Sequence, residues 1–330
     1  MKKLVILGGG TGGTMMANKL RKDLDDDWSI TIIDKDNIHY YQPGYLFVPF
    51  DINKPREIRR SKREFINPGI EFVISDITNV DWDKQEVSTA TEGKFNYDIL
   101  VMATGCDIRP DEVEGLEEGW GHDIYGYYRF NDCQELGKAL KRFKGGRMVV
   151  NIAEMPIKCP VAPLEFAFLA DWYFHERGIR DDVEIEFVTP LSGAFTKPVA
   201  TKVLTDACED KNIKIIPNFA LGSVDHKAKV IQAFDGSEVE YDMLVSIPPN
   251  FGAQVMIDSG IADPMGYIPV DKHTLQPEGR DNVWVLGDGT DVPTSKAGAV
   301  AHFQGDVLHE NILAYVSGGE QHARSDGQAV

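Results

Sequence analysis

"KKLVILGGGTGGTMMANKLRK", residues 2–22, reads as an apolar strand, a glycine turn and the start of a helix. Gly8, Gly10 and Gly13 stand in G-x-G-x-x-G register directly after the apolar residues 4–7. The first glycine permits a tight turn, the second lets a pyrophosphate approach the backbone, and the third lets helix and strand pack closely. The helix N-terminus then offers N–H groups to the phosphates. The next apolar run, "SITIID", ends on Asp34, 34 − 13 = 21 residues after the last glycine. An acid about 20 residues on is where a ribose hydroxyl is accepted. Strand, glycine triplet, helix, strand and acid in this order predict a dinucleotide-binding α/β domain.

Working outward, "YDILVMATG" (residues 97–105) is an apolar strand that closes on Thr104 and Gly105. "RDNVWVLGDGTDVPTSKAGAVAHFQ" (residues 280–304) is another, carrying Gly287 and Asp288 at its end. Between them, "GGRMVVNIAEMP" and "VEIEFVTP" repeat the strand–turn–strand pattern from residue 145. There the glycines are missing: the turn carries Glu154, Met155 and Pro156, and the following strand ends without an acid. A Glu and a Pro repel and obstruct a pyrophosphate. The second repeat is therefore expected to keep the architecture and to bind NAD(P)H poorly. Its turn holds "PIKCP", with Cys159, instead.

The chain has 330 residues, 42% of them apolar, and a net charge of −18. That length fits two or three domains. The charge disfavours nucleic acid as a partner and, over most of the surface, anionic lipid. One stretch opposes it, "REIRRSKRE" from Arg56, read as a solvated basic face. The N-terminal apolar run is too short for a secretory signal, and no apolar run reaches the roughly 18 residues a membrane span needs. Four cysteines give no disulfide framework. His39, His175, His302 and His309 lack metal-ligand spacing, so no metal site is predicted.

The ATG turn, the late G-D pair and the cysteine in place of the second glycine loop together resemble the sulfide:quinone oxidoreductase family. That family is related to the flavin subunits of sulfide dehydrogenases and to type II NADH dehydrogenases. "YYQPGYLFVPF", "KCPVAPLEFAFLADWYF", "MLVSIPPNFG" and "GYIPVDKHTL" extend the likeness over nearly the whole chain. The resemblance implies an α/β protein with two Rossmann-like domains. Residues 1–105 and 270–330 would bind FAD through Gly8, Gly10, Gly13, Asp34, Thr104, Gly105, Gly287, Asp288 and Lys296. Residues 106–269 would carry the redox cysteine. It further implies that Cys159 takes sulfur from sulfide and that electrons pass through FAD to a quinone. Lys296 would lie near the flavin's pyrimidine end, Glu165 would relay protons, and Gln304 would line the quinone site.

The residues around Cys159 add their own argument. Pro160 and Pro163 suit the first turn of a helix from about Val161 to Glu176. Cys159 thus falls at or just before a helix N-terminus and beside Lys158, both of which favour thiolate. The aromatic residues of that helix, from Phe166 to Phe174, are read as core, and Cys106, Cys133 and Cys208 as inert thiols. The family's further cysteine near Tyr128 is absent. Its second redox cysteine and amphipathic membrane helices would follow "HARSDGQAV", so quinone turnover is expected to need sequence beyond Val330. The expected location is cytoplasmic, with peripheral contact at the inner membrane face. Oligomeric state stays open, a homo-oligomer included. The alternatives are a type II NADH:quinone dehydrogenase-like enzyme, or a regulatory flavoprotein or flavin subunit that needs a partner.

Overall fold

In the computed structural model, which describes residues 1–327, the apolar runs become the strands of two parallel sheets. The expectation about sequence past Val330 lies outside the described residues. The chain starts with β1 (Lys2–Leu7), turns into α1 (Thr11–Asp23) and returns as β2 (Trp28–Asp34). It adds β3 (Ile70–Ile74) and β4 (Ile99–Met102). A second set follows: β5 (Ile124–Tyr125), α2 (Phe130–Arg142), β6 (Gly146–Ile152), α3 (Ala162–Glu176) and β7 (Val183–Val188). Next come α4 (Pro198–Asp210), β8 (Ile213–Ile216) and β9 (Met243–Ile247). The chain ends with β10 (Val283–Val285) and α5 (Gly298–Ser317).

The first sheet has strand order β10-β4-β1-β2-β3, the second β5-β9-β6-β7-β8, and all these pairings are parallel. Strands covered on both faces need apolar residues at successive positions rather than alternately. This explains why Leu4 to Leu7, Ile99 to Met102 and Met243 to Ile247 are buried without a break. The order reverses beside β1 in the first sheet and beside β6 in the second. Such a switch point leaves a crevice at the carboxyl ends of the strands, where ligands bind.

The chain divides into two compact units: residues 1–39, 60–107 and 251–330, and residues 40–59 and 108–250. These bounds depart from the expected division in two places. The aromatic stretch 40–59 belongs with the second unit because its rings fill that unit's core. Phe50 packs at 5.1 Å from Phe166, Tyr40 at 5.0 Å from Phe130, and a side chain at Gly137 would press on Pro49. Residues 251–269 belong with the first, where Met256 and Ile268 are fully buried beside Val5, Leu7 and Val283.

The aromatic face of α3 is core only in part. Phe166 and Phe174 are fully buried, but Trp172 is 43% exposed. Fifteen helical residues cannot all face inward, and Trp172 falls on the outer side. The basic stretch from Arg56 is likewise not one solvated face, because Lys62 is buried.

Candidate active site

A flavin-type candidate site lies in the first unit. β1 is fixed against β2 and β4, with Gly8 N donating to the Ile33 carbonyl and Ala103 N to the Leu7 carbonyl. Gly8 has φ +93°, and a Cβ there would lie 2.4 Å from the Ala103 oxygen. A Cβ on Gly13 would lie 1.8 Å from the Gly8 oxygen, so only glycine fits this turn. Gly10 is different: a Cβ there meets nothing within 4 Å. Gly10 is also the N-cap of α1, which has no side-chain cap and no acid in its first turn. The space over Gly10 and an N-terminus left to an anion are what a pyrophosphate requires.

Asp34 stands at the end of β2, its Oδ2 accepting from Gly9 N at 2.5 Å. Its Oδ1 meets Lys62 Nζ at 2.7 Å, and Lys62 also bonds Asp36 Oδ1 at 3.0 Å. Burial raises the Asp36 carboxyl, but the Ile38 N–H and the Lys62 charge outweigh it and hold the pKa below the ordinary value. Lys62 is therefore the counter-ion of Asp34. Sequence reasoning missed it because nothing local separates Lys62 from Arg59, Arg60 and Arg63 around it.

The ATG and late G-D turns meet in the same unit. Gly105 and Gly287 have φ +69° and +75°. A Cβ on Gly289 would come within 3.6 Å of Thr104 Oγ1 and of Gly105. Lys296 is buried, donating to the carbonyls of Asp288 at 2.9 Å and Thr290 at 3.0 Å, with its ammonium 3.7 Å from the Tyr267 ring centroid. Burial pushes its pKa down, and the charges of Cys106 and Asp288 pull it partly back. Gln304 is also buried; its Oε1 accepts from Gly287 N at 2.7 Å. Its Nε2 is a buried donor with no hydrogen-bond partner. A buried amide left half-satisfied marks a place for an acceptor from a ligand.

The cysteine that the sequence singles out lies in the second unit, past the carboxyl end of β6. Cys159 is exposed and has φ +45°, an uncommon backbone region for a side-chain-bearing residue. Its carbonyl accepts from Ala162 N at 2.9 Å, joining the turn to α3, which begins three residues later. The conformation is held from both sides. Lys158 N donates to Asn250 Oδ1 at 3.0 Å, and the Tyr128 hydroxyl donates to the Lys158 carbonyl at 2.8 Å. Lys158 itself is buried, its ammonium directed to Gln42 Oε1 at 3.4 Å and lying 6.0 Å from the centre of the Tyr128 ring. Glu165 sits in the first turn of α3, and burial raises its carboxyl pKa. Cys133 and Cys208 are fully buried, which pushes their thiols up to about 12 and about 11. Neither ionises near neutral pH.

The Pyridine nucleotide-disulphide oxidoreductase family matches residues 2–151. The mitochondrial sulfide:quinone oxidoreductase of Dictyostelium discoideum is 31% identical over 98% of this chain and 73% of its own length. The chain belongs to the sulfide:quinone oxidoreductase family. The Mus musculus member is 26% identical, over 98% of this chain and 74% of its own. Among solved structures, the Aquifex aeolicus sulfide:quinone oxidoreductase superimposes with a TM-score of 0.84 at 24% identity, covering 96% of this chain and 78% of that one. Members of the family are flavoproteins, and the glycine turn, Asp34 and the Gln304 amide provide the features a flavin nucleotide would engage. Among the described residues no helix is long and apolar enough to cross a membrane.

Proposed function

We propose that the protein is an FAD-dependent sulfide:quinone oxidoreductase, taking electrons from hydrosulfide and passing them to a quinone. One observation carries the reading. At the position where a second nucleotide would meet its glycine loop, the chain instead presents an exposed cysteine on a braced, left-handed turn.

FAD would be held by the turn at Gly8, Gly10 and Gly13, by Asp34 with Lys62, and by the Thr104–Gly105 and Gly287–Asp288 turns. A bound flavin supplies two-electron redox chemistry that no side chain here can provide. The protein's own groups do the rest. Cys159 carries the sulfur taken from hydrosulfide. Glu165, with its raised pKa, holds a proton at the mouth of the same turn. Lys296 braces the carbonyls of Asp288 and Thr290 and supplies a buried positive charge suited to an anionic reduced cofactor. Gln304 offers Nε2 to a carbonyl acceptor, on the cofactor or on the quinone.

Anaerobic addition of sulfide to the flavin-loaded protein tests this. Sulfide should bleach the flavin absorbance, and decylquinone should restore it. Cys159→Ser should lose bleaching by sulfide while keeping reduction by dithionite. A Cys159→Ser protein that responds to sulfide at the parent rate would overturn the assignment.

A further inference from the structure

Peptide units are planar, so pinning the carbonyls on both sides of a residue fixes its φ and ψ. Cys159, at φ +45°, is pinned in this way. The Lys158 carbonyl belongs to the plane before it and accepts from the Tyr128 hydroxyl at 2.8 Å. The Cys159 carbonyl belongs to the plane after it and accepts from Ala162 N at 2.9 Å, with the same Tyr128 hydroxyl 3.5 Å away. One plane further back, Lys158 N donates to Asn250 Oδ1 at 3.0 Å. The Asn250 amide cannot turn over, because its Nδ2 donates to the Pro248 carbonyl at 2.9 Å, just past the end of β9. Tyr128 and Asn250 are both buried, Asn250 completely.

The left-handed region is disfavoured for any residue with a Cβ and persists where the surroundings over-determine it. Two of the groups that do so here are side chains remote in sequence, Tyr128 just before α2 and Asn250 just after β9. The easy escape for such a turn is rotation of the 158–159 peptide. That rotation exchanges ψ of Lys158 against φ of Cys159 and swings the thiol to a new direction. The Tyr128 hydroxyl bonds the carbonyl that would have to turn, and Asn250 anchors the plane behind it. We propose that Tyr128 and Asn250 are positioning residues for the sulfur chemistry, holding Cys159 left-handed and so setting the direction of its Sγ. They act through the backbone of the turn. The Tyr128 ring has a separate packing role, 5.1 Å from the Tyr127 ring and 6.0 Å from the Lys158 ammonium, and that role does not need the hydroxyl.

This inference rests on Cys159 being the sulfur carrier. The flavin-loaded full chain is mixed anaerobically with sulfide over a range of concentrations, and bleaching of the flavin is followed by stopped-flow absorbance. The limiting rate reports how the reacting group is held, and the half-saturating sulfide concentration reports binding. Tyr128→Phe keeps the ring and deletes the hydroxyl. Its limiting rate should fall on the order of tenfold or more, since displacing a reacting atom by about 1 Å costs on the order of 100-fold. The half-saturating concentration, the final extent of bleaching and reduction by dithionite should stay at the parent values. Asn250→Leu, close in size but without an acceptor for Lys158 N, should show the same split, and it carries the test where Tyr128→Phe loses flavin.

A limiting rate equal to the parent's in both variants would overturn the positioning role and leave Cys159 as the carrier. A lower flavin content or extent of bleaching at an unchanged rate would also overturn it, as a structural effect alone. Bleaching of Cys159→Ser by sulfide at the parent rate would overturn the carrier and the positioning role together.

Discussion

At the scale of single residues, the three glycines of the first turn have separate jobs. Gly13 is held by the protein itself, because any Cβ would strike the Gly8 oxygen. Gly10 faces open space at φ −74°, a backbone that any residue adopts. Gly10→Val should therefore fold normally and lose bound flavin, since only the cofactor's phosphates compete for that space. Gly13→Ala should instead destabilise the fold, as overpacking does, by about 1–3 kcal/mol or more. Flavin content and thermal melting separate the two, and a Gly10→Val protein with its full flavin complement would refute the cofactor assignment. Glu165 gives a pH test. Its folded pKa lies above the unfolded value of 4.5, so the folded state binds the proton more tightly. Stability from this group is complete below 4.5 and falls as pH rises through the folded pKa. Glu165→Gln should accordingly gain stability over the parent near pH ~7 and match it near pH ~4. Equal differences in melting temperature at both pH values would contradict the shift.

At the scale of elements, α3 does more than follow Cys159. Asp171 is buried on its inner side and bonds Arg180 at 2.7 Å and Lys211 at 3.1 Å. Arg180 is buried as well and donates to the carbonyls of Val183, Lys211 and Asn212. One carboxylate thus ties α3 to the start of β7 and to the end of α4. Removing it leaves a buried guanidinium without its counter-ion, which costs about 3–5 kcal/mol. Asp171→Ala should lower the urea midpoint accordingly, and an unchanged midpoint would show that the network is not structural. This network also marks the limit of sequence reading. Strand–turn–helix units were legible because glycine geometry and unbroken apolar runs are local signals. Lys62 on Asp34, Asn250 on Lys158 and the aromatic stretch 40–59 in the second core depend on contacts distant in sequence, and no periodicity encodes them. The positive φ of Cys159 was hidden for a related reason, since the residue type argues against it and the bracing comes from Tyr128, 31 residues earlier.

At the scale of the whole molecule, a four-strand pattern is used twice, β4-β1-β2-β3 in one sheet and β9-β6-β7-β8 in the other, with the switch point beside β1 and β6. The two copies differ in the turn that follows β1 in one and β6 in the other. After β1 the turn is glycine with an open space above Gly10, and β2 ends on Asp34. After β6 the turn carries Glu154 and a cis Met155–Pro156 bond, and β7 runs into the buried Thr189, which supplies no acid. Duplicated architecture therefore predicts one nucleotide per chain. NADH and NADPH should neither bind at micromolar concentration nor bleach the flavin, because their pyrophosphate would meet a carboxylate and a proline ring where it needs N–H groups. Isothermal titration of the flavin-loaded protein with NADH, together with stopped-flow absorbance, measures both quantities. Heat of binding with bleaching on the millisecond scale would mean that the second copy still takes a nucleotide and that electrons enter from NADH. Silence with NADH and bleaching with sulfide would assign the second copy to sulfur, the chemistry for which Cys159 is exposed and its turn is braced.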